Sequence, residues 1–220
     1  MIRQILALFF LFNTLCMSPI YANEPSRYFN LDDVITYYYK NKNTDKAVNI
    51  IQQISDSKIL EYDSHSFTPT IGFILGIIGE DRGAIEKFHN PTVSPAMQKC
   101  ISTAENLLKQ YSFDVILTDP DKIQDERGLD LLWGVFSATG NPKIPETIRA
   151  FVEKNKISKA PAGAKDRRDM VVMSAIWSLK SNAKQHDVVA PFAEFPPQSD
   201  NMGNQNIITF YKEAMQNRNK

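Results

Sequence analysis

The chain has 220 residues, 43% of them apolar, with 25 basic and 25 acidic side chains, and a chain of that length supports one substantial core, burying about 70% of its unfolded surface. A balanced charge with no basic run longer than Arg167-Arg168 argues against nucleic-acid binding and against lasting attachment to an anionic membrane surface, since both need a concentrated positive patch. Two cysteines, Cys16 and Cys100, are too few for a disulfide-stapled scaffold.

Residues 1–22 run in the order basic, apolar, small. Arg3 is the only charge, Ile5–Phe12 is an unbroken apolar run, Ser18-Pro19 breaks the helix, and Ala22 offers a small residue for cleavage. That order is the one a secretory signal peptide shows. It predicts export, to the periplasm or beyond, and a mature chain starting at Asn23. A membrane anchor needs about 20 apolar residues, and Asn13-Thr14 interrupts this run too early. Leu15 before Cys16 does not fit lipid attachment at that cysteine, because bacterial lipoprotein signals resemble one another in having a small residue there. Cys16 leaves with the signal, so Cys100 is left without an internal disulfide partner. Residues 23–29 form a short polar leader, and 30–220 a single α-helical domain.

From Leu31 onward apolar residues recur at helical spacing. Leu31, Val34, Ile35, Tyr38 and Tyr39 form one stripe, with Asp32 and Asp33 in a first turn where negative charge suits the helix dipole. Asn41-Lys42-Asn43 turns the chain, and Thr44 is the expected N-cap of a return helix carrying Ala47, Val48, Ile51 and Ile54. A second pair runs from Ile71, Ile74, Leu75 and Ile78 through Gly79, the expected C-cap, to Ala84, Ile85 and Phe88. An extra helix is predicted over Pro95–Gln110, and an irregular stretch over Tyr111–Asp125, with Phe113–Leu117 as an extended loop. A third pair has Leu129, Leu132, Trp133 and Phe136, then Gly140-Asn141-Pro142, then Ile144, Ile148, Phe151 and Val152. A fourth has Val172, Ile176, Trp177 and Leu179, then Ser181-Asn182, then Val188, Val189 and Phe192. Ile207, Ile208, Tyr211, Ala214 and Met215 line a final capping helix.

The expected fold is therefore all-α, an irregular stack of about four αα-hairpins with one extra helix and a C-terminal cap. Hairpins recurring about every 40 residues resemble tetratricopeptide-like and HEAT-like repeats. The second hairpin carries the resemblance: Gly72, Leu75, Ala84 and Phe88 stand at the tetratricopeptide family's glycine, aromatic, alanine and phenylalanine positions. Thr68 and Ala96 replace its tryptophan and closing proline, and the third and fourth hairpins depart from its spacing. The resemblance implies a stacked fold with a partner-binding groove, not a chemistry.

No catalytic constellation appears. His65, His89 and His186 are scattered and none belongs to an HExxH helix, so no zinc site is predicted. His186 stands just before a helix, where a local structural role accounts for it. Asp119-Pro120-Asp121 begins like a calcium loop, but Ile123, Gln124 and Asp130 occupy positions that need an oxygen ligand, glycine and glutamate. GxSxG, GxGxxG and the phosphate-binding GxxxxGK[ST] motif are absent. The carboxylate pairs Asp32-Asp33, Glu80-Asp81 and Asp125-Glu126 fall at helix starts or turns, and Asp166–Asp169 is expected to be a solvated first turn. Gly72 and Gly76 spell GxxxG in an apolar window too short for a membrane pair, which predicts close helix packing in the core. Cys100 lies on an apolar face and is expected to be a buried, unreactive thiol. Neither a cofactor nor a metal is predicted.

Aromatic residues are the remaining candidates. Tyr37, Phe73, Trp133 and Trp177 sit at matching places on the first helices of the four hairpins, which predicts packing between repeats. Tyr37, Tyr38 and Tyr39 are consecutive, and three helical positions span about 200° of arc, so at least one ring must face solvent or a partner. These three are the candidate partner-binding residues. The expected function is an exported, non-enzymatic module that binds an unknown protein or peptide, with no nucleic acid and no transmembrane segment in the mature chain. Two alternatives are an enzyme whose site is dispersed over helices and a secreted effector acting outside the producing cell.

Overall fold

The computed structural model describes residues 30–89, 92–155 and 167–195. The expected signal segment, polar leader and final helix around Ile207–Met215 lie outside the described residues. Within them the chain is all-α, with no strand. The α-helices are α1 (Leu31–Ile35), α2 (Thr44–Ser57), α3 (Ile59–Tyr62), α4 (Phe67–Glu80), α5 (Ala84–His89), α6 (Pro95–Gln110), α7 (Phe113–Thr118), α8 (Glu126–Thr139), α9 (Lys143–Lys154) and α10 (Arg167–Ala183). Short 3-10 turns cover Tyr38–Asn41, Ser64–Ser66, Pro120–Lys122 and Asp187–Phe192.

Helix α4 organises the core. Every residue from Thr70 to Ile78 is buried, and a helix apolar on all sides belongs in an interior. Its main partner is α8, far along the chain, rather than its sequence neighbour α5. Glycine makes that crossing close. A Cβ on Gly72 would lie 2.1 Å from the Leu131 carbonyl oxygen, and one on Gly134 would lie 2.2 Å from that of Pro69. The GxxxG segment thus does what the sequence predicts, since a Cβ on Gly76 would also meet Ala138 at 2.6 Å. Around this pair, α6 packs on α4, α2 packs on α5 and α6, and α9 packs on α8 and α10.

Several expected boundaries move for local reasons. Asn43, not Thr44, caps α2: its side chain accepts from the Asp45 and Lys46 amides at 2.8 and 3.1 Å. Gly140 ends α8 in the left-handed region at φ 66°, as a C-cap glycine does. Gly79 is not such a cap, because α4 continues to Glu80 and Gly79 instead makes room for the ring of Phe113. The extended loop expected at Phe113–Leu117 is a helix. Ser112 caps it on the Val115 amide at 3.3 Å, Ile116 and Leu117 are buried, and Thr147 of α9 donates to the Leu117 carbonyl at 2.6 Å. The return element of the fourth pair is the 3-10 stretch Asp187–Phe192, which contains Pro191. Asp169 is buried rather than solvated.

Candidate functional site

The three consecutive tyrosines are not on one α-helix. Helix α1 stops at Ile35, Tyr37 leaves helical geometry at φ −112° and ψ 15°, and Tyr38 opens a 3-10 turn. The three rings therefore separate more than helical spacing implies. Tyr38 turns inward: its ring meets Phe73 edge-on at 5.2 Å, and its hydroxyl donates to the Asn43 carbonyl at 2.9 Å and accepts from the Asn43 amide at 3.1 Å. It is a core residue, buried away from any partner. Tyr39 is half-buried against Phe136 and shares a 2.9 Å hydrogen bond with Nδ1 of His186. Tyr37 is the ring that faces outward, 47% exposed, with the Lys40 ammonium 4.6 Å from its centroid.

His186 proves more central than a residue beside a helix start. It is 2% exposed and lies 5.1–5.6 Å from the rings of Tyr37, Tyr39 and Phe136. Burial lowers its pKa, with Lys40 adding to the effect, which favours the neutral imidazole. Trp133 extends the cluster, edge-on to Phe136 at 5.5 Å, and its buried indole N–H has no hydrogen-bond partner among the described residues. Of the four matched aromatics, Phe73 is buried and Trp133 partly buried, whereas Tyr37 and Trp177 are 47% and 48% exposed, the Tyr37 ring still meeting His186 at 5.2 Å.

A second place gathers side chains that are far apart in sequence. An open hollow of about 530 Å3 is lined by Leu60, His65, Phe67, Lys99, Arg127 and Asp130, with the hydroxyls of Ser64 and Thr68. Each rim group is positioned by its own element. Asp63 accepts from the His65 amide at 3.0 Å and from the Ser66 hydroxyl at 2.6 Å, which sets the turn that carries His65. Those bonds, the Ser66 hydroxyl foremost, hold the Asp63 carboxyl below its usual range. Asp125 caps α8 on the Gly128 amide at 3.2 Å and takes the Arg127 guanidinium at 2.6 and 2.9 Å. The Lys99 ammonium stands 5.6 Å from the Phe67 ring centroid. Asp130 lies deeper; burial pushes its carboxyl up to about 6, opposed by the charge of His65 and reinforced by Glu126, Asp125 and Asp32.

Neither His65 nor Asp130 stands out in the sequence, because nothing local links a 3-10 turn to the second turn of a distant helix. Asp119 and Asp125 act as caps, and among the described residues no three His, Cys, Asp or Glu side chains are grouped so as to hold a metal ion. Cys100 is fully buried, its thiol pushed up to about 12 by burial, as its apolar setting predicts. No described helix is long and apolar enough to cross a membrane. No protein family, curated protein or solved structure matches this chain.

Proposed function

We propose that this protein is an exported, non-enzymatic helical module that binds a peptide segment in the hollow around Phe67 and Asp130. One observation carries the reading: the hollow is lined by apolar Leu60 and Phe67 together with side chains of both signs of charge, Lys99 and Arg127 with the deeper Asp130. An apolar centre inside a polar rim is how binding interfaces are built, and a volume near 530 Å3 falls in the range of ligand pockets, about 300–1,000 Å3. The tetratricopeptide-like pattern of the second hairpin supports the same reading, since α4 carries two of the family-like positions, Gly72 and Leu75, together with Phe67. Export rests on the basic, apolar and small-residue order of residues 1–22.

The test is selection of peptides from a random displayed library by the processed protein. A recurrent motif is expected, with an acidic residue for Lys99 and a large apolar one for Phe67. Lys99→Glu should weaken the selected peptide by about tenfold, the scale of a hydrogen-bonded charge contact; enrichment of no motif, or equal binding by that variant, would sink the proposal. N-terminal sequencing of the processed chain should begin at Asn23, and recovery from culture fluid rather than the cell envelope would favour the effector reading. A second, enzymatic reading draws on Asp130, a carboxylate raised toward the range useful for proton transfer beside His65. It requires turnover that Asp130→Asn abolishes while peptide binding survives.

A further inference from the structure

A smaller hollow, separate in its lining from the Phe67 site, lies where the end of α6, α7, the Pro120–Lys122 turn and the start of α8 meet. Its walls are Leu107, Tyr111, Ile116, Ile123, Leu131 and Leu132, and its volume is about 160 Å3. Ile116, Ile123 and Leu132 are buried. The walls are held from behind. Arg168 donates to the Ile123 carbonyl at 3.2 Å. A Cβ on Gly128 would come within 3.1 Å of the Ile123 Cα, so the turn sits directly on α8. An apolar cavity of about 150 Å3 admits a benzene ring, which sets the size of a fitting group: one six-membered ring or a short branched chain.

Among the described residues, Lys122 is the only ionisable lining residue of this hollow besides the Tyr111 phenol. Its ammonium stands 4.2 Å from the centroid of the Tyr111 ring, and no carboxylate lies within ion-pair distance of it among the described residues. Four other lysines, Lys42, Lys87, Lys143 and Lys154, each hold a carboxylate at 2.7–2.8 Å; Lys40, Lys46 and Lys99 also stand over aromatic rings, but none of them lines this hollow. Asp121, next to Lys122 in sequence, is taken by Lys154. A cation held by an aromatic face at the entrance of an apolar recess has charge to offer a ligand whose body is apolar and whose end is anionic.

We propose that this hollow binds a small amphiphilic carboxylate, its apolar group between Leu107, Ile116, Ile123 and Leu132 and its carboxylate on the Lys122 ammonium. The same chemistry comes from two sources, a free aromatic or branched acid, or the carboxy-terminal residue of a peptide. The experiment is a titration of the full, processed chain followed by the methyl resonances of Ile116, Ile123 and Leu132, with benzoate, benzamide, acetate and the capped dipeptide acetyl-Gly-Phe as probes. Benzoate should give saturable ring-current shifts at those methyls. Benzamide should bind about threefold or more weakly, the scale of a solvent-exposed ion pair, and acetate should give no methyl shift. Lys122→Gln, an exposed change that keeps the fold, should bring benzoate down to the benzamide level. Leu107→Trp should remove both by filling the recess. Tighter binding of the dipeptide than of benzoate supports the site with a peptide terminus as its source, and the reverse supports it with a free acid. Absence of saturable shifts, equal binding of benzoate and benzamide, or full benzoate affinity in Lys122→Gln would overturn it.

Discussion

Burial acts on His186 and Asp130 in opposite senses, because imidazole is charged when protonated and carboxylate when deprotonated. The His186 pKa falls below 6.5, through burial first and Lys40 second. Between that lowered value and 6.5 the unfolded chain binds a proton that the native chain refuses. Stability from His186 is therefore complete above 6.5 and is lost as pH falls through the folded value. Asp130 rises from 3.8 to about 6, so between those values the native chain keeps a proton that the unfolded chain has released. Its contribution is complete below 3.8 and is lost as pH rises through about 6. Urea midpoints measured from about pH 4 to pH 8 should separate the two. Relative to wild type, His186→Gln should be most destabilised at the alkaline end. Asp130→Asn should gain most there, because it removes a charge the fold disfavours. Variant curves parallel to wild type across that range would show that neither group titrates differently on folding.

At the scale of elements, the decisive contact is the crossing of α4 and α8. Alanine in place of Gly72 gains about 1 kcal/mol of helix propensity. Against it stands a methyl placed 2.1 Å from the Leu131 carbonyl oxygen, with the Gly134 Cα at 3.1 Å. Backbone atoms cannot step aside as a side-chain end can, so the helices must separate along their whole contact, an overpacking cost of about 3 kcal/mol. Gly72→Ala should therefore destabilise by about 2 kcal/mol net in urea unfolding. The matched control is Gly83→Ala. There the new methyl would meet only the Asp81 side chain at 3.2 Å, and the change should stay within about 0.5 kcal/mol. Equal effects at the two positions would remove the crossing as the organising contact. The same elements show what was legible. The α6 helix matches Pro95–Gln110 at both ends because Pro95 at its start and Ser94 as cap are local signals. Helix α7 was missed because six residues are too few to display a helical period, and its stability comes from α9 through Thr147 and the buried Ile116 and Leu117. The first stripe breaks after Ile35 because Tyr38 gains two backbone bonds at Asn43 and a ring contact on Phe73, tertiary terms that spacing does not encode. At the candidate sites, three consecutive tyrosines require an outward ring without saying which, and matching places along the hairpins put Tyr37 among the packed aromatics, whereas the structure leaves it 47% exposed; His65 and Asp130 meet only through the packing of α4 against α8.

For the whole molecule, the question is what replaces disulfides if the chain works outside the cytosol. With Cys16 removed as proposed, Cys100 is the only thiol, and it lies at the centre of the packing. It is fully buried on α6, among Met97, Ile101 and Ala104, all at most 2% exposed. The thiolate is the reactive form, and burial pushes this thiol up to about 12, so reaction with a disulfide reagent must wait for the protein to open. If packing alone holds the domain, that opening is the global one, and labelling of Cys100 reports the stability of the whole chain. A domain of ordinary stability, at least about 5 kcal/mol, should slow labelling by about 10³-fold or more relative to the unfolded chain. The logarithm of the labelling rate should climb with urea along the same slope as the unfolding curve from circular dichroism. Added reductant should leave the melting temperature unchanged. Labelling at a rate independent of urea would mean that α6 frays by itself, and a melting temperature lowered by reductant would mean that a disulfide, between copies or with another chain, contributes what the core was taken to supply.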